Sequence, residues 1–182
     1  MQKNREIRLS IRDRVSDLFS APPTDSGFSV FNVYNEIDYR NPDHVPTPNT
    51  AFIYLVDSYQ LPVNTKLPLV VLEIERYRKE SFELGNRKGR NIKAHIHVFG
   101  RNRGERDDLA GFMADYFGDS FDIKTYTQAS PTGTVVETVQ LNDRIDVSDM
   151  TISGPIQGRE NVESSGVVLD WSRVSFEFAC KL

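Results

Sequence analysis

Hydrophobic residues recur at helical spacing in two segments of the chain. Near the N-terminus they occur mostly at intervals of three and four residues, which places them on one helix face: Ile7, Ile11, Val15, Leu18 and Phe19. The prolines at 22–23 are expected to end this helix, because proline cannot continue it. A second amphipathic helix is predicted at 105–117, where Asn102 and Glu105 have the spacing of a capping box and Gly118 is a natural stop.

Alternating apolar and polar residues predict strands between and after these helices. Two alternating runs, 70–75 and 92–99, are expected to pair as antiparallel neighbours across the polar turn at 85–89. Residues 35–50 are rich in proline and 143–166 in serine, glycine and acidic residues, so we expect long loops there. The other predicted strands are 28–34, 51–56, 121–126, 134–141 and 167–180, with shorter ones at 81–84 and 150–152.

This order of helices and strands predicts the α+β class, with a mainly antiparallel or mixed β-sheet flanked by the N-terminal helix and the central amphipathic helix. The length suits a single domain over 1–182. No apolar run approaches the ~20 residues needed to span a bilayer, and the N-terminus lacks the apolar core of a secretory signal, so we expect no membrane partner. The single cysteine, Cys180, is expected to be a small hydrophobe and not a nucleophile.

The net charge of −4 is unevenly distributed along the chain. Ten basic and three acidic residues between 76 and 106 give that segment +7, which leaves −11 for the remainder. Either the chain meets unlike surfaces on different sides, or the opposite charges interleave when it folds. The basic residues also raise the alternative of sequence-independent contact with nucleic-acid phosphates, although the overall negative charge is unlike that of a dedicated nucleic-acid protein.

One arrangement of residues has the types that a metal site needs. His95 and His97 share a face of a predicted strand, and Glu73 and Glu75 form a matching pair on the predicted neighbour. Lys93 on the same face would repel a cation, so we favour a polar sheet face with cross-strand charge pairs. We therefore expect no catalytic residue, no metal and no cofactor, and a His/Glu metal-binding enzyme remains the alternative.

The central block resembles the tail terminator and tail-completion (neck) proteins of tailed bacteriophages. The resemblance lies in a strand entered through Leu67-Pro68, a polar turn reading ELGNR at 83–87, and a strand that ends in VFGRNRGERDDLA at 98–110. Residues 67–117 carry most of it, and the closing strand WSRVSFEF at 171–178 is also similar.

The resemblance implies a virion structural protein and not an enzyme. Proteins of this family form a hexameric ring at the head-proximal end of the tail, end the polymerisation of the tail tube and join the tail to the neck or head. The implied partners are further copies of the chain, the tail tube protein, a neck or connector protein, the tail sheath, and DNA passing through the lumen without sequence specificity. Assembly would take place in the host cytoplasm. A related neck or adaptor ring that contacts DNA through a basic patch is the alternative.

A head-to-tail ring needs two different complementary surfaces on each subunit. We therefore expect contacts between basic residues of the middle segment and acidic residues of the flanks, and the long loops at 35–50 and 143–166 are expected to reach neighbouring subunits. The candidate interface residues are Arg87, Lys88, Arg90, Arg101, Arg103, Asp143, Asp146, Asp149, Glu160 and Glu163.

Overall fold

The three-dimensional structure is a computed structural model that describes residues 2–57, 66–74, 78–81, 88–129, 135–157 and 170–181. These residues contain three helices: α1 (Gln2–Ser20), α2 (Glu36–Arg40) and α3 (Arg103–Tyr116). They also contain eight strands: β1 (Asn32–Tyr34), β2 (Phe52–Val56), β3 (Leu69–Ile74), β4 (Arg78–Ser81), β5 (Lys88–Phe99), β6 (Ser120–Ala129), β7 (Val135–Gln157) and β8 (Asp170–Lys181). None of the helices among the described residues is long and apolar enough to cross a bilayer.

The strands form one mixed sheet in the order β1-β2-β3-β5-β8-β7-β6, and β4 pairs with β5 on the same edge as β3. The β1–β2 and β2–β3 pairs are parallel, whereas the remaining pairs are antiparallel. The predicted antiparallel pairing of the two central runs is confirmed, with Leu69 opposite Phe99 and Ile74 opposite Ala94. The expected α+β class, with a mixed sheet and two flanking helices, is therefore confirmed.

Helix α1 contacts both edge strands of this sheet. Beside β1, the backbone N–H of Phe31 donates to the carbonyl of Phe19 at 2.9 Å. On β6, the backbone N–H of Lys124 donates to the hydroxyl of Ser10 at 2.9 Å. Because the two edges of an eight-stranded sheet reach one helix, the sheet must curve around α1. The predicted apolar face of α1 is confirmed, since all five residues at helical spacing are buried.

The main core lies between the helices and one face of the sheet. Alternate strand residues such as Ile53, Val70 and Ile96 point into it, as the alternation predicts. From α3, the Phe112 ring stacks on Phe28 with 4.3 Å between ring centroids. The helix-spaced residues of α3 are buried in the same cluster, among them Met113. Each helix thus buries the apolar face that its spacing predicts.

A smaller cluster covers part of the opposite face of the sheet. It contains Tyr54, Val56, Leu69, Val71 and Phe99, the strand residues that alternate with those of the main core. Tyr39 of α2 is buried against them. The sheet is therefore covered on both faces near β2 and β3, although the sequence predicts cover on one face.

The predicted loop at 143–166 is wrong for residues 143–149 and 153–157, which belong to β7, whereas the short strand expected at 150–152 is confirmed as part of β7. The physical reason is pairing, because β6 lies opposite β7 up to Asp146 and β8 lies opposite it from Ile145 onward. Neighbouring strands satisfy the backbone donors and acceptors of this segment, so its polar composition does not prevent a strand. Residues 158–166 lie outside the described residues.

Three smaller predictions also change in the structure. The strand expected at 28–34 is limited to Asn32–Tyr34. The loop expected at 35–50 contains α2, whose N-cap Asn35 forms a complete capping box with Asp38. The helix expected at 105–117 begins two residues earlier, at Arg103, and ends at Tyr116.

Candidate assembly surface

The junction between β5 and α3 is a tight turn centred on Gly100. A Cβ atom at this position would lie 2.5 Å from the backbone nitrogen of Arg106, so a side chain cannot be accommodated without displacing the helix. Asn102 then caps α3, since its side-chain oxygen accepts from the backbone N–H of Glu105 at 2.9 Å. The turn therefore gives Arg101 and Arg103 the rigid support that the sequence predicts.

Arg101 is engaged within its own subunit. Its guanidinium donates to both carboxylate oxygens of Glu105, at 2.6 Å from Nη2 to Oε1 and 3.2 Å from Nε to Oε2. The backbone N–H of Arg101 also donates to Glu105, at 2.6 Å. In the predicted capping box Glu105 would accept from the backbone N–H of the N-cap residue Asn102. It accepts from the backbone N–H of Arg101 instead. The guanidinium additionally lies over the ring of Phe52, 5.6 Å from its centroid.

These contacts change the acidity of Glu105. Burial of the carboxyl opposes its ionisation, but the hydrogen bonds from the guanidinium and backbone of Arg101, together with the guanidinium charge, hold the pKa of Glu105 below its ordinary value. Glu105 therefore stays charged and keeps Arg101 in place at neutral pH. Arg101 is consequently a weaker candidate for contact with a neighbouring subunit than its sequence position indicates.

Arg103 differs from Arg101 because it is largely free to reach outward. Its side chain is 75% exposed, and its ion pair with Asp107 is long, at 3.7 Å. Exposed pairs of this kind contribute little to stability, so Arg103 can exchange Asp107 for another partner at small cost. Of the two junction arginines, Arg103 is therefore the stronger interface candidate.

Arg106 is a buried charge that sequence reasoning missed. Its side chain is 1% exposed, and it donates to one carboxylate oxygen of Asp107 from Nε at 2.9 Å and from Nη2 at 2.6 Å. The signal was present, because Arg106 lies three residues before Leu109 and so shares the apolar face of α3. Arg106 holds Asp107 at the start of α3 and is not available to a partner.

The remaining basic candidates lie at the other end of β5. Lys88 and Arg90 belong to the strand itself, which corrects the prediction of a turn at 85–89 for its last residues; the side chains of this part of the strand are not described. Arg90 lies opposite Cys180, which in turn lies opposite Ile145 of β7. Arg87 falls outside the described residues.

The acidic candidates on β7 lie at this same end of the sheet. Asp146 is level with Asn91 of β5, and Asp149 is level with Lys93, with one strand, β8, between them in each case. Asp143 is further along β7 in the direction of Lys88. Two strand spacings correspond to about 10 Å, so basic positions of β5 and acidic positions of β7 lie near one another at one end of a single subunit. Glu160 and Glu163 fall outside the described residues.

The structure therefore divides the candidates into two groups. Lys88 and Arg90 share one sheet end with the β7 acids, as the interleaving alternative expects. Arg101 and Arg103 lie beyond the opposite end of β5, eleven and thirteen positions from Arg90 along the chain. A contact between unlike charges of two copies would therefore involve Arg103, and not Lys88 or Arg90.

The sheet face that carries His95 and His97 is polar but mostly buried. Glu73 lies directly opposite His95 in the β3–β5 pair, and its carboxylate is 2.9 Å from Nε2 of the diagonal neighbour His97. This contact is a cross-strand pair of the kind that the sequence favours. No group of three or more His, Cys, Asp or Glu side chains in the described part of the chain is arranged to hold a metal ion. Glu75, the fourth member of the proposed set, falls outside the described residues.

Residues 35–50, which we call the flap, fold back over the outer face of the sheet. The ammonium of Lys66 donates to the carbonyls of Asp38 at 3.3 Å, of His44 at 3.4 Å, and of Asn41. It also lies 5.7 Å from the ring centroid of Tyr54. The flap is therefore anchored to its own subunit through Lys66, and its expected contact with neighbouring subunits stays a prediction.

Tyr54 connects the flap to the sheet. Nδ1 of His44 lies 3.1 Å from the Tyr54 hydroxyl, and burial, with the nearby Tyr34, raises the pKa of Tyr54. The outer surface of the flap carries two apolar side chains, Ile37 and Val45, of which Val45 is 78% exposed. The flap thus offers a small apolar surface.

A cavity of about 170 Å³ lies between α1 and the first two strands. Arg12, Asp13, Ser16 and Asn35 supply its polar lining. Its volume is below the roughly 300 Å³ at which ligand pockets begin. This cavity therefore gives no support to a substrate site.

Comparison with known proteins finds no family model and no curated protein that matches the chain.

Proposed function

We propose that the chain is a structural subunit of a phage tail, which forms a ring at the head-proximal end, ends tail-tube polymerisation and joins the tail to the neck. The observation that carries the proposal is the resemblance of residues 67–117 to tail terminator proteins. In the structure this segment contains β3, β4, β5 and α3, so the resembling residues include a strand pair and the helix that follows it.

The charge distribution supports contact between unlike surfaces. The segment 76–106 carries +7 and the rest of the chain −11. Arg103 stands at a rigid turn with its guanidinium largely exposed, on a different part of the subunit from the β7 acids. A ring of head-to-tail contacts needs two such different surfaces on each copy.

Imaging and light scattering of the purified 20.8-kDa chain test the proposal. Over a dilution series, we expect closed rings of several copies and a ring mass that falls on dilution or at high salt, because exposed ion pairs are screened. Rings added to polymerising tail-tube subunits should shorten the tubes. A chain that stays monomeric at every concentration and salt would contradict the proposal.

Charge reversal at Arg103 has a matched control in Arg40. Both arginines make an i,i+4 ion pair, and their side chains are 75% and 55% exposed. We expect Arg103→Glu to raise the concentration for half-assembly by about threefold to fivefold, the scale of one exposed pair, and Arg40→Glu to leave it unchanged. In the neck-adaptor alternative, Arg103→Glu instead leaves rings intact and weakens salt-sensitive DNA binding.

A further inference from the structure

One part of the sheet extends beyond the strands around it. β7 pairs with β8 from Ile145 to Gln157 and with β6 from Val135 to Asp146. The half of β7 that precedes residue 145 thus has one partner strand among the described residues, namely β6. At about 3.3 Å per residue, this hairpin continues roughly 30 Å past the end of β8. We call its outer part, 125–129 paired with 135–140, the ribbon.

The composition of the ribbon is unusual for two strand edges that have no further partner among the described residues. Its segments read TYTQA and VVETVQ, and Glu137 is their one charged residue. Exposed edges are ordinarily protected by charged residues, prolines or bulges, since an open edge pairs with other chains. Register shifts around Tyr126 supply part of that protection. An isolated two-stranded ribbon is also only marginally stable in water, so this composition favours a covered edge.

A complementary edge is present elsewhere on the chain. β4 pairs with β5 on one side, and no other strand in the described ranges pairs with it. It begins with Arg78 and Lys79, and it lies alongside the first residues of β5, at the end of the sheet from which the ribbon extends. The chain thus offers an extended strand pair with one acidic residue, and a short edge that carries two adjacent basic residues and the acidic Glu80, for a net charge of +1.

We propose that the ribbon of one copy pairs with the free edge of β4 in a neighbouring copy. Main-chain hydrogen bonds supply the affinity, as in other cases of strand addition, and the charge of Glu137 and of Arg78 and Lys79 favours this pairing. The two edges differ, so the contact is head-to-tail and closes into a ring when the rotation allows. The inference rests on the proposed ring and names the contact that builds it.

Shortening the ribbon tests this contact directly. In the test variant an Asn-Gly turn replaces residues 126–138 and joins Thr125 to Val139, which are opposite each other in the register. Phe121 and Ile123, which pack on the main core, are retained. We expect cooperative unfolding and a circular dichroism spectrum that changes only by the loss of the deleted strand residues. The concentration for half-assembly should rise more than about 100-fold, because several main-chain hydrogen bonds are lost together. Unchanged assembly would overturn the proposal.

A charge exchange keeps the test decisive if the shortened chain misfolds. Glu137→Lys and the double change Arg78→Glu with Lys79→Glu should each weaken assembly by about threefold to fivefold, and their combination should restore it. Arg40→Glu serves as the control that leaves assembly unchanged. Independent effects without restoration would contradict pairing between these edges.

The outcome for the wild-type chain separates this inference from the proposed function. If the wild-type chain and the shortened variant both form rings, the ribbon contact is overturned and the proposed function stands. A wild-type chain that forms no ring overturns the proposed function. If the wild-type chain forms a dimer and the shortened variant is monomeric, the ribbons of two copies pair with each other. That result contradicts both the ribbon–β4 contact and the proposed function.

Discussion

Glu105 binds Arg101 twice, through the backbone N–H at 2.6 Å and through the guanidinium at 2.6 Å. The two residues are four positions apart and lie on either side of the N-cap of α3. Their contacts fix the path of the chain between β5 and the helix, because a carboxylate that accepts from a backbone donor and a cation is strongly held. The same contacts engage a residue that, from the sequence, we expected to bind a neighbour.

The charge of Glu105 should make stability depend on pH. Its pKa is lower in the folded protein than its ordinary value of 4.5, so the stabilisation is fully present above that value and is lost as the pH falls through the lower folded pKa. We expect the wild-type chain to lose more stability between pH 6 and pH 3 than Glu105→Gln. Thermal unfolding at several pH values measures the difference.

Asp108→Asn provides the control for this pH series. Asp108 is also an acidic residue in the first part of α3, but its side chain is exposed. It should therefore contribute only a weak interaction with the helix dipole. An equal pH dependence in Glu105→Gln and the wild-type chain would show that the Arg101–Glu105 contact does not stabilise the fold.

The sequence predicts those elements whose residues repeat with a fixed period. Both long helices and the β3–β5 pair follow from spacing alone, because each buries one face against a single core. Alternation predicts the parts of β7 at 134–141 and 150–152 but not the continuous strand that joins them, because residues 143–157 mix apolar residues with serine, aspartate and glycine and pair mainly with β8, which is distant in the chain. Partners far along the chain outweigh local preference there, as is usual for strands.

The positions of the candidate interface residues were predictable in part, whereas their contacts within the subunit were not. The sequence indicates basic residues at both ends of β5, which the structure confirms for Arg90 and Arg103. It does not indicate that Glu105 engages Arg101, because a capping-box glutamate ordinarily bonds the N-cap residue itself. Nor does it reveal that Lys66 holds the flap, since these residues are 22 to 28 positions apart.

Removal of the Lys66 charge should release the flap. The ammonium donates to three flap carbonyls, and methionine keeps a flexible apolar stem without any donor. We expect Lys66→Met to accelerate proteolysis between 40 and 50 and to reduce protection from hydrogen exchange there, while the protection of α3 is unchanged. Lys93→Met, which replaces an exposed lysine on β5, is the matched control. Equal protection of the flap in both variants would contradict this role.

The Glu73–His97 contact should be energetically coupled. The carboxylate and imidazole are 2.9 Å apart, and both side chains are largely buried. Truncation of either residue leaves a buried polar partner without this contact, so Glu73→Ala and His97→Ala should each cost about 1–3 kcal/mol of unfolding free energy. In denaturant unfolding at neutral pH, the double variant should lose about 1 kcal/mol less unfolding free energy than the sum of the two single losses.

Arg103→Ala supplies the reference for that cycle. Glu73 lies opposite His95, four residues before β5 ends at Phe99, and Arg103 begins α3 beyond that end, outside the sheet. The costs of Glu73→Ala and Arg103→Ala should add within about 0.5 kcal/mol, the tolerance for distant sites. If the losses of unfolding free energy for Glu73→Ala and His97→Ala also add within this tolerance, the two residues are not coupled. The sheet face that carries them is then polar for another reason. If they couple as expected, the two residues stabilise the sheet by contact with each other, and their retention needs no metal to explain it.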